Sequence, residues 1–414
     1  MTRVAQGAYA VRVSAAEFPL WKGRAPLLAD LDVELTERCN NDCIHCWINR
    51  PATDEAAQKR ELSTAALEAI LSEAASLGAL SVRFTGGEPL LREDFAEIYL
   101  KARRLGLKVT LATNARRMTP ALADLLARIP PRAPVEVTVY GMTQASYEAV
   151  SRTPGSFAQF QRGLGLLVAR RIPLRVHGVH LPQNREDQEA FESWAATIPG
   201  MDRWLGEVVF FDLRARRDDP ARSRQIAELR LDPRESVEVL RRGGEEYVRD
   251  AIRVCSRFMG PRGDRLFACG AGERVCVDAY GTLQPCLALR HPETVYDLKA
   301  GSLEDALRFF FPRLRRARAA DPDYLARCGR CLLHRFCDQC PAKSWTEHGT
   351  LDTPVQYLCD VAHARARDLG LLGQSECGWE VDDWRKRLES WNERRGEAGQ
   401  PASSPPLISV RDTT

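Results

Sequence analysis

The stretch Cys39-Asn40-Asn41-Asp42-Cys43-Ile44-His45-Cys46 sets three thiols within eight residues. A closed zinc site takes four ligands, so three cysteines on one short loop do not complete one. Three thiolates can instead hold three corners of a [4Fe-4S] cube and leave the fourth iron open. An open metal position is where chemistry takes place. A second array lies far downstream: Cys269, Cys276, Cys286, Cys328, Cys331, Cys337, Cys340 and Cys359. Its eight thiolates suit two four-ligand [4Fe-4S] clusters, three clusters in all. A zinc site is the alternative, from Cys328-x2-Cys331 and Cys337-x2-Cys340. Zinc ribbons, however, separate their pairs by about 15 residues or more, and here only five intervene. Cys255 and Cys377 fit neither array, and each reads as a small buried hydrophobe.

The elements that must position these residues can be read around them. Leu31–Thr36 alternates as a strand should and runs directly into the first cysteine loop. Leu80–Thr85 reads as a second strand and runs into Gly86-Gly87-Glu88-Pro89. Two glycines let backbone approach a ligand closely, and a carboxylate or a backbone carbonyl there can take an ammonium group. Further strands are expected at Leu107–Ala112, Val135–Tyr140, Leu174–His180 and Glu207–Asp212. Helices fall between them: one over Ser63–Leu77 with Ser63 as N-cap, another over Phe95–Leu105. Six strands alternating with helices imply an α/β fold with a parallel sheet and right-handed crossovers. Six units are too few for an eight-fold barrel, and a partial (β/α)6 TIM-like barrel fits. Function in such barrels sits at the carboxyl ends of strands, where both motifs lie.

The C-x3-C-x2-C spacing, followed by Gly86-Gly87-Glu88-Pro89 after the next strand, resembles the radical SAM family. In that family the open iron chelates the amino and carboxylate groups of S-adenosylmethionine. The resemblance implies cofactor contacts by Gly86, Gly87, Glu88 and Pro89. It also implies His45 beside the adenine, Asn114 after the third strand, Thr138 toward the ribose, and Arg152 on the methionine carboxylate. Tyr140 stands where relatives carry a ribose-binding aspartate. The downstream cysteines resemble the SPASM domain: Cys269, Gly281-x4-Cys286, Cys328-x2-Cys331-x5-Cys337, Cys340 and Cys359, with two residues rather than three before Cys340. By that pattern Cys269, Cys286 and Cys340 hold one auxiliary cluster, with Cys276 as fourth ligand. Cys328, Cys331, Cys337 and Cys359 hold the other.

Six segments follow from this reading taken with composition. A length of 414 residues and 44% hydrophobic content support more than one sizeable core. The expected division is an N-terminal segment (1–30), a barrel (31–212), a helical bridge (213–265), a cysteine-rich iron–sulfur domain (266–365), a C-terminal helix (366–394, centred on 380–394) and a disordered tail (395–414). A net charge of +3 implies no nucleic-acid field, and the arginines at 313–318 read as a solvated helix face. No apolar run is long enough to span a membrane. Thirteen cysteines without a signal peptide argue for thiolate ligands in a reducing cytoplasm. The resemblance implies cleavage of S-adenosylmethionine to a 5′-deoxyadenosyl radical and oxidation of a substrate, with a reductant such as flavodoxin or ferredoxin. A ribosomally made precursor peptide is the favoured substrate. About 30 residues before the barrel are too few for a leader-binding domain, so a separate peptide-recognition protein is expected. The sulfatase-maturing branch is disfavoured by Leu287, which stands where those enzymes carry an acid/base aspartate. A small-molecule or tetrapyrrole substrate, and a non-enzymatic electron carrier, are the alternatives.

Overall fold

The computed structural model describes residues 28–199, 201 and 211–396. Five of the expected strands form: β1 (Asp30–Thr36), β2 (Ser81–Gly86), β3 (Lys108–Thr113), β4 (Val135–Val139) and β5 (Leu174–Gly178). Each pairs with the next in parallel. The expected strand at Glu207–Asp212 falls mostly outside the described residues, and Phe211 and Asp212 are not in a strand.

Side chains alternate between the faces of a strand, and here the alternation separates two chemistries. Leu31, Val33 and Leu35 of β1 join Val82, Phe84, Val109, Leu111, Val135, Val137 and Val176 in one buried core. Asp32, Arg83, Thr110, Glu136 and Thr138 turn to the other face and are half-buried. Helices Thr64–Ser76, Phe95–Arg104, Pro120–Arg128 and Ser156–Ala169 lend apolar residues to the same core. The Ser63 side chain accepts the Ala66 N–H, so the N-cap read from sequence is in place.

The cysteine-rich region does not stand apart from this sheet. β6 (Arg274–Val277) pairs in parallel with β1, with Asp32 opposite Cys276. β7 (Thr282–Gln284) and β8 (Tyr296–Asp297) continue it as an antiparallel meander. The sheet order is β8-β7-β6-β1-β2-β3-β4-β5. The boundary expected at 265/266 therefore crosses a continuous sheet. Val275, Cys276 and Val277 are buried on both faces, and pairing with β1 satisfies backbone that burial removes from water.

The bridge is helical as expected, with helices Pro220–Glu228, Pro233–Arg241 and Glu245–Phe258. A second core gathers Cys255, Leu332, Leu333, Phe336, Leu388 and Trp391. The last helix spans Trp384–Gly396. Trp391 is 1% exposed, and its indole N–H donates to the Leu369 carbonyl at 2.8 Å. Residues 1–27 and 397–414, which include most of the leading segment and of the tail, lie outside the described residues. Among the described residues no helix is long and apolar enough to cross a membrane.

Candidate iron–sulfur and cofactor site

β1 and β2 end side by side. The Gly87 N–H donates to the Thr36 carbonyl (2.7 Å) and the Glu88 N–H to the Arg38 carbonyl (2.9 Å). A Cβ on Gly86, whose φ is +122°, would overlap the Thr36 carbonyl, and one on Gly87 would overlap that of Arg38. The two glycines thus close two backbones on each other. That contact sets the cysteine loop, which begins at Cys39, beside the Gly-Gly-Glu-Pro turn.

Glu88 departs from its sequence assignment. It is fully buried, and its carboxylate accepts from the Thr113 hydroxyl (2.6 Å), the Asn114 N–H (2.8 Å) and the Leu90 N–H (3.1 Å). It braces the ends of β2 and β3 and is not turned to a ligand. An ammonium at this turn would meet backbone carbonyls instead. Pro89 opens the short 3₁₀ turn that follows.

The cysteine loop is held from several sides. The N–H groups of Asp42 and Ile44 donate to the Ser151 and Val150 carbonyls, both at 3.0 Å. These are among the last carbonyls of helix Gln144–Ser151, which need partners from outside the helix. Arg116 donates to the Asn40 carbonyl and the Asn41 side chain. Arg152, in the left-handed region at φ 49°, donates to the Asp42 carbonyl (3.0 Å) and pairs with its carboxylate. Arg152 is thereby committed to Asp42, not held free for a cofactor carboxylate. Asn114 Nδ2 donates to Asn40 Oδ1 (2.8 Å) and lies 3.8 Å from Cys39 Sγ. Nothing in the sequence distinguished Arg116 from other arginines.

Burial pushes the Cys43 thiol up to about 12, and the neighbouring Cys46 charge adds to this. Burial also raises Cys39 and Cys46. A metal cluster bound here would displace these protons to solvent, and its positive charge would offset the repulsion among the thiolates. His45 lies between Phe211 and Tyr140, with ring centroids 5.4 and 5.8 Å away. Burial lowers its pKa to about 4. Its Nδ1 and the Nδ2 of Asn41 are buried without a hydrogen-bond partner. Tyr140, in the place of an expected aspartate, turns its hydroxyl to Cys43. Thr138 sits half-buried on β4, opposite His177 of β5.

Downstream, Cys328, Cys331, Cys337 and Cys359 line one pocket, walled also by His363 and Trp379. Among the described residues no three His, Cys, Asp or Glu side chains close on a single metal-ion position. Cys377, which fitted no pattern, is an electrostatic neighbour of Cys331 and Cys359. Cys255 is 3% exposed in the second core, as a small hydrophobe would be. Cys286 has Cys340 and Cys269 as charged neighbours.

Cys276 is the residue expected as fourth ligand beside Cys269, Cys286 and Cys340. It lies within β6, wholly buried, and its thiol faces the Val277 carbonyl at 3.7 Å. Its charged neighbours are Glu34, Arg290, Asp32 and Asp278, and no cysteine is among them. Beside it is a buried charge network that sequence reading missed. Arg290 grips Glu34 (2.6 and 2.8 Å) and Glu37 (2.7 Å). Arg216 joins Glu37 (2.8 Å) to Asp278 (2.9 Å), and the Tyr280 hydroxyl donates to Glu37 (2.9 Å). Arg290 also stands over the Trp47 ring, 5.7 Å from its centroid, one residue past Cys46.

Residues 33–195 match the Radical SAM superfamily. This stretch is a radical SAM domain. The AdoMet-dependent heme synthase of Methanosarcina barkeri is 30% identical over 154 residues, 37% of this chain and 43% of that protein. The PqqA peptide cyclase of Ruegeria pomeroyi is 31% identical over 176 residues, 42% of this chain and 46% of that protein. The match thus spans less than half the length of these relatives. Among solved structures, SuiB of Streptococcus suis bound to S-adenosylmethionine is similar, with a TM-score of 0.54 at 16% identity, covering 81% of this chain and 77% of that one. So is anSMEcpe with bound AdoMet, with a TM-score of 0.53 at 14% identity, covering 87% and 99%. At such identity the likeness is one of fold. It runs beyond the radical SAM domain into the cysteine-rich region.

Proposed function

We propose that this chain is a radical SAM enzyme of the SPASM type that oxidatively modifies a peptide. The observation that carries the reading is the trio Cys39, Cys43 and Cys46, with Cys43 buried and the other two half-buried, beside the Gly-Gly-Glu-Pro turn of a radical SAM domain. When bound, a [4Fe-4S] cluster and S-adenosylmethionine supply one-electron cleavage to a 5′-deoxyadenosyl radical that takes a hydrogen from substrate. The three cysteines hold the cluster. Backbone carbonyls of the turn receive the methionine ammonium. His45, Tyr140 and Phe211 form an aromatic wall that excludes water from the cysteine loop. Cys269, Cys286 and Cys340 hold one auxiliary cluster, and Cys328, Cys331, Cys337 and Cys359 hold another. Two further redox groups favour a net oxidation of the substrate.

A precursor peptide is the favoured substrate. The PqqA peptide cyclases are among the relatives, and a fold neighbour, SuiB, has been solved bound to its precursor peptide SuiA. The heme synthase relative gives the second reading, a tetrapyrrole or other small molecule. Crosslink and side-chain oxidation both remain within the proposal, as do a flavodoxin or ferredoxin reductant, a separate peptide-recognition protein and a cytoplasmic setting. Anaerobic reconstitution tests the metal content on which the reading depends. About twelve irons per chain are expected for three cubes. Only about four irons, with stoichiometric zinc in the 328–359 region, would sink the auxiliary clusters. The two substrate readings part on sequencing the flanking genes: a short precursor peptide encoded there, which gains or loses mass on incubation with the reduced enzyme, is expected for a peptide substrate.

A further inference from the structure

Arg222 belongs to helix Pro220–Glu228, in the stretch between the radical SAM domain and the cysteine-rich region. Its sequence surroundings give no sign of a role at the first cysteine loop. It is nonetheless 9% exposed, and its Nη2 donates to the Cys43 carbonyl and to Asp42 Oδ1 (3.1 Å), with the Asp42 carbonyl at 3.5 Å. With Arg116 on Asn40 and Arg152 on Asp42, guanidiniums from three separate elements cap the carbonyls of residues 40, 42 and 43. An irregular loop lacks a ladder of its own, so these caps set its shape.

The helix cannot drift from this position. Just past its end, Arg230 donates to the Phe211 carbonyl (2.8 Å) and pairs with Glu347, and the Leu231 carbonyl accepts the Tyr357 hydroxyl at 3.0 Å. Electrostatics adds a second effect. The Arg222 side chain is 10% exposed and that of its partner Asp42 is 57% exposed. Water therefore screens the negative charge more than the positive one, and the field at the loop has a net positive contribution. Net charge and hydrogen bonding around an iron–sulfur cluster are what set its potential.

We propose that Arg222 is a positioning residue for the cluster of the first cysteine loop: it fixes the Asp42–Cys43 backbone and makes that cluster easier to reduce. The proposal rests on the reading of Cys39, Cys43 and Cys46 as a cluster site. The test is a potentiometric titration followed by electron paramagnetic resonance on the reconstituted full chain. The signal to follow is the component that changes when S-adenosylmethionine is added. If wild type has no such component, the cluster reading itself fails, independently of Arg222. In Arg222→Gln the midpoint of this component should move to more negative potential with the iron content unchanged. Arg222→Lys should fall between the two. Arg128→Gln, an exposed arginine on helix Pro120–Arg128, should leave it where it was. A wild-type midpoint in Arg222→Gln at full iron content overturns the proposal. If Arg222→Gln cannot hold the cluster, Arg222→Lys decides: it keeps the charge and loses the fork of donors on Asp42 and Cys43, so its midpoint should lie below wild type, and a wild-type midpoint at full iron content overturns the proposal.

Discussion

Single residues carry the sharpest consequences. The SPASM resemblance groups Cys276 with Cys269, Cys286 and Cys340, yet it lies in β6 among charged residues. Cys276→Ala should therefore keep the wild-type iron content on reconstitution. Loss of about four irons would return it to the cluster. His45 makes a different prediction. Burial holds its pKa at about 4 in the folded chain, against about 6.5 when unfolded. Between these values the unfolded chain binds more protons, so stability present above pH 6.5 is lost as pH falls through 6.5 toward 4. The unfolding midpoint of metal-free wild type should drop more between pH 7.5 and 5 than that of His45→Phe, which keeps a ring and loses the titration. Equal drops would mean that His45 is not held neutral. The three thiols were legible because spacing alone restricts what they can ligate. Glu88 and Arg152 were legible as positions but not in their use. A carboxylate or guanidinium near a site can serve the ligand or the scaffold, and only the placement of Thr113, Asn114 and Asp42 decides it.

At the scale of elements, five strands and the capped helix after Ser63 followed from alternation and cap chemistry. β6 did not. Four residues, Arg-Val-Cys-Val, are too short to show a period, and what makes them a strand is the unpaired edge of β1. The network of Glu34, Glu37, Arg290, Arg216 and Asp278 holds that join, and it was illegible for the same reason: its members are up to 256 residues apart. Arg290→Met removes the hub and leaves Glu34 and Glu37 buried without their main partner. Breaking a buried pair in this way costs on the order of 3–5 kcal/mol. Chemical denaturation should show a loss of that size, together with weaker retention of iron by the downstream cysteines. A loss below about 1 kcal/mol would mean that water reaches the network.

At the scale of the molecule, the sheet couples two sets of thiols. β1 leads into the first cysteine loop, and β6 and β7 lead into Cys286. The radical SAM domain and the cysteine-rich region thus share one sheet, and the chain reads as one structural unit more than as a barrel with an appendage. The chemistry still begins at one place. The trio Cys39, Cys43 and Cys46 should be required for cleavage of S-adenosylmethionine and dispensable for the downstream metal. The direct measurement compares 5′-deoxyadenosine formation and iron content in reduced wild type and in the Cys39→Ala, Cys43→Ala, Cys46→Ala triple variant. Wild type should form 5′-deoxyadenosine, and the triple variant should form none while keeping about eight of about twelve irons. Undiminished 5′-deoxyadenosine formation by the triple variant would contradict the assignment of the site.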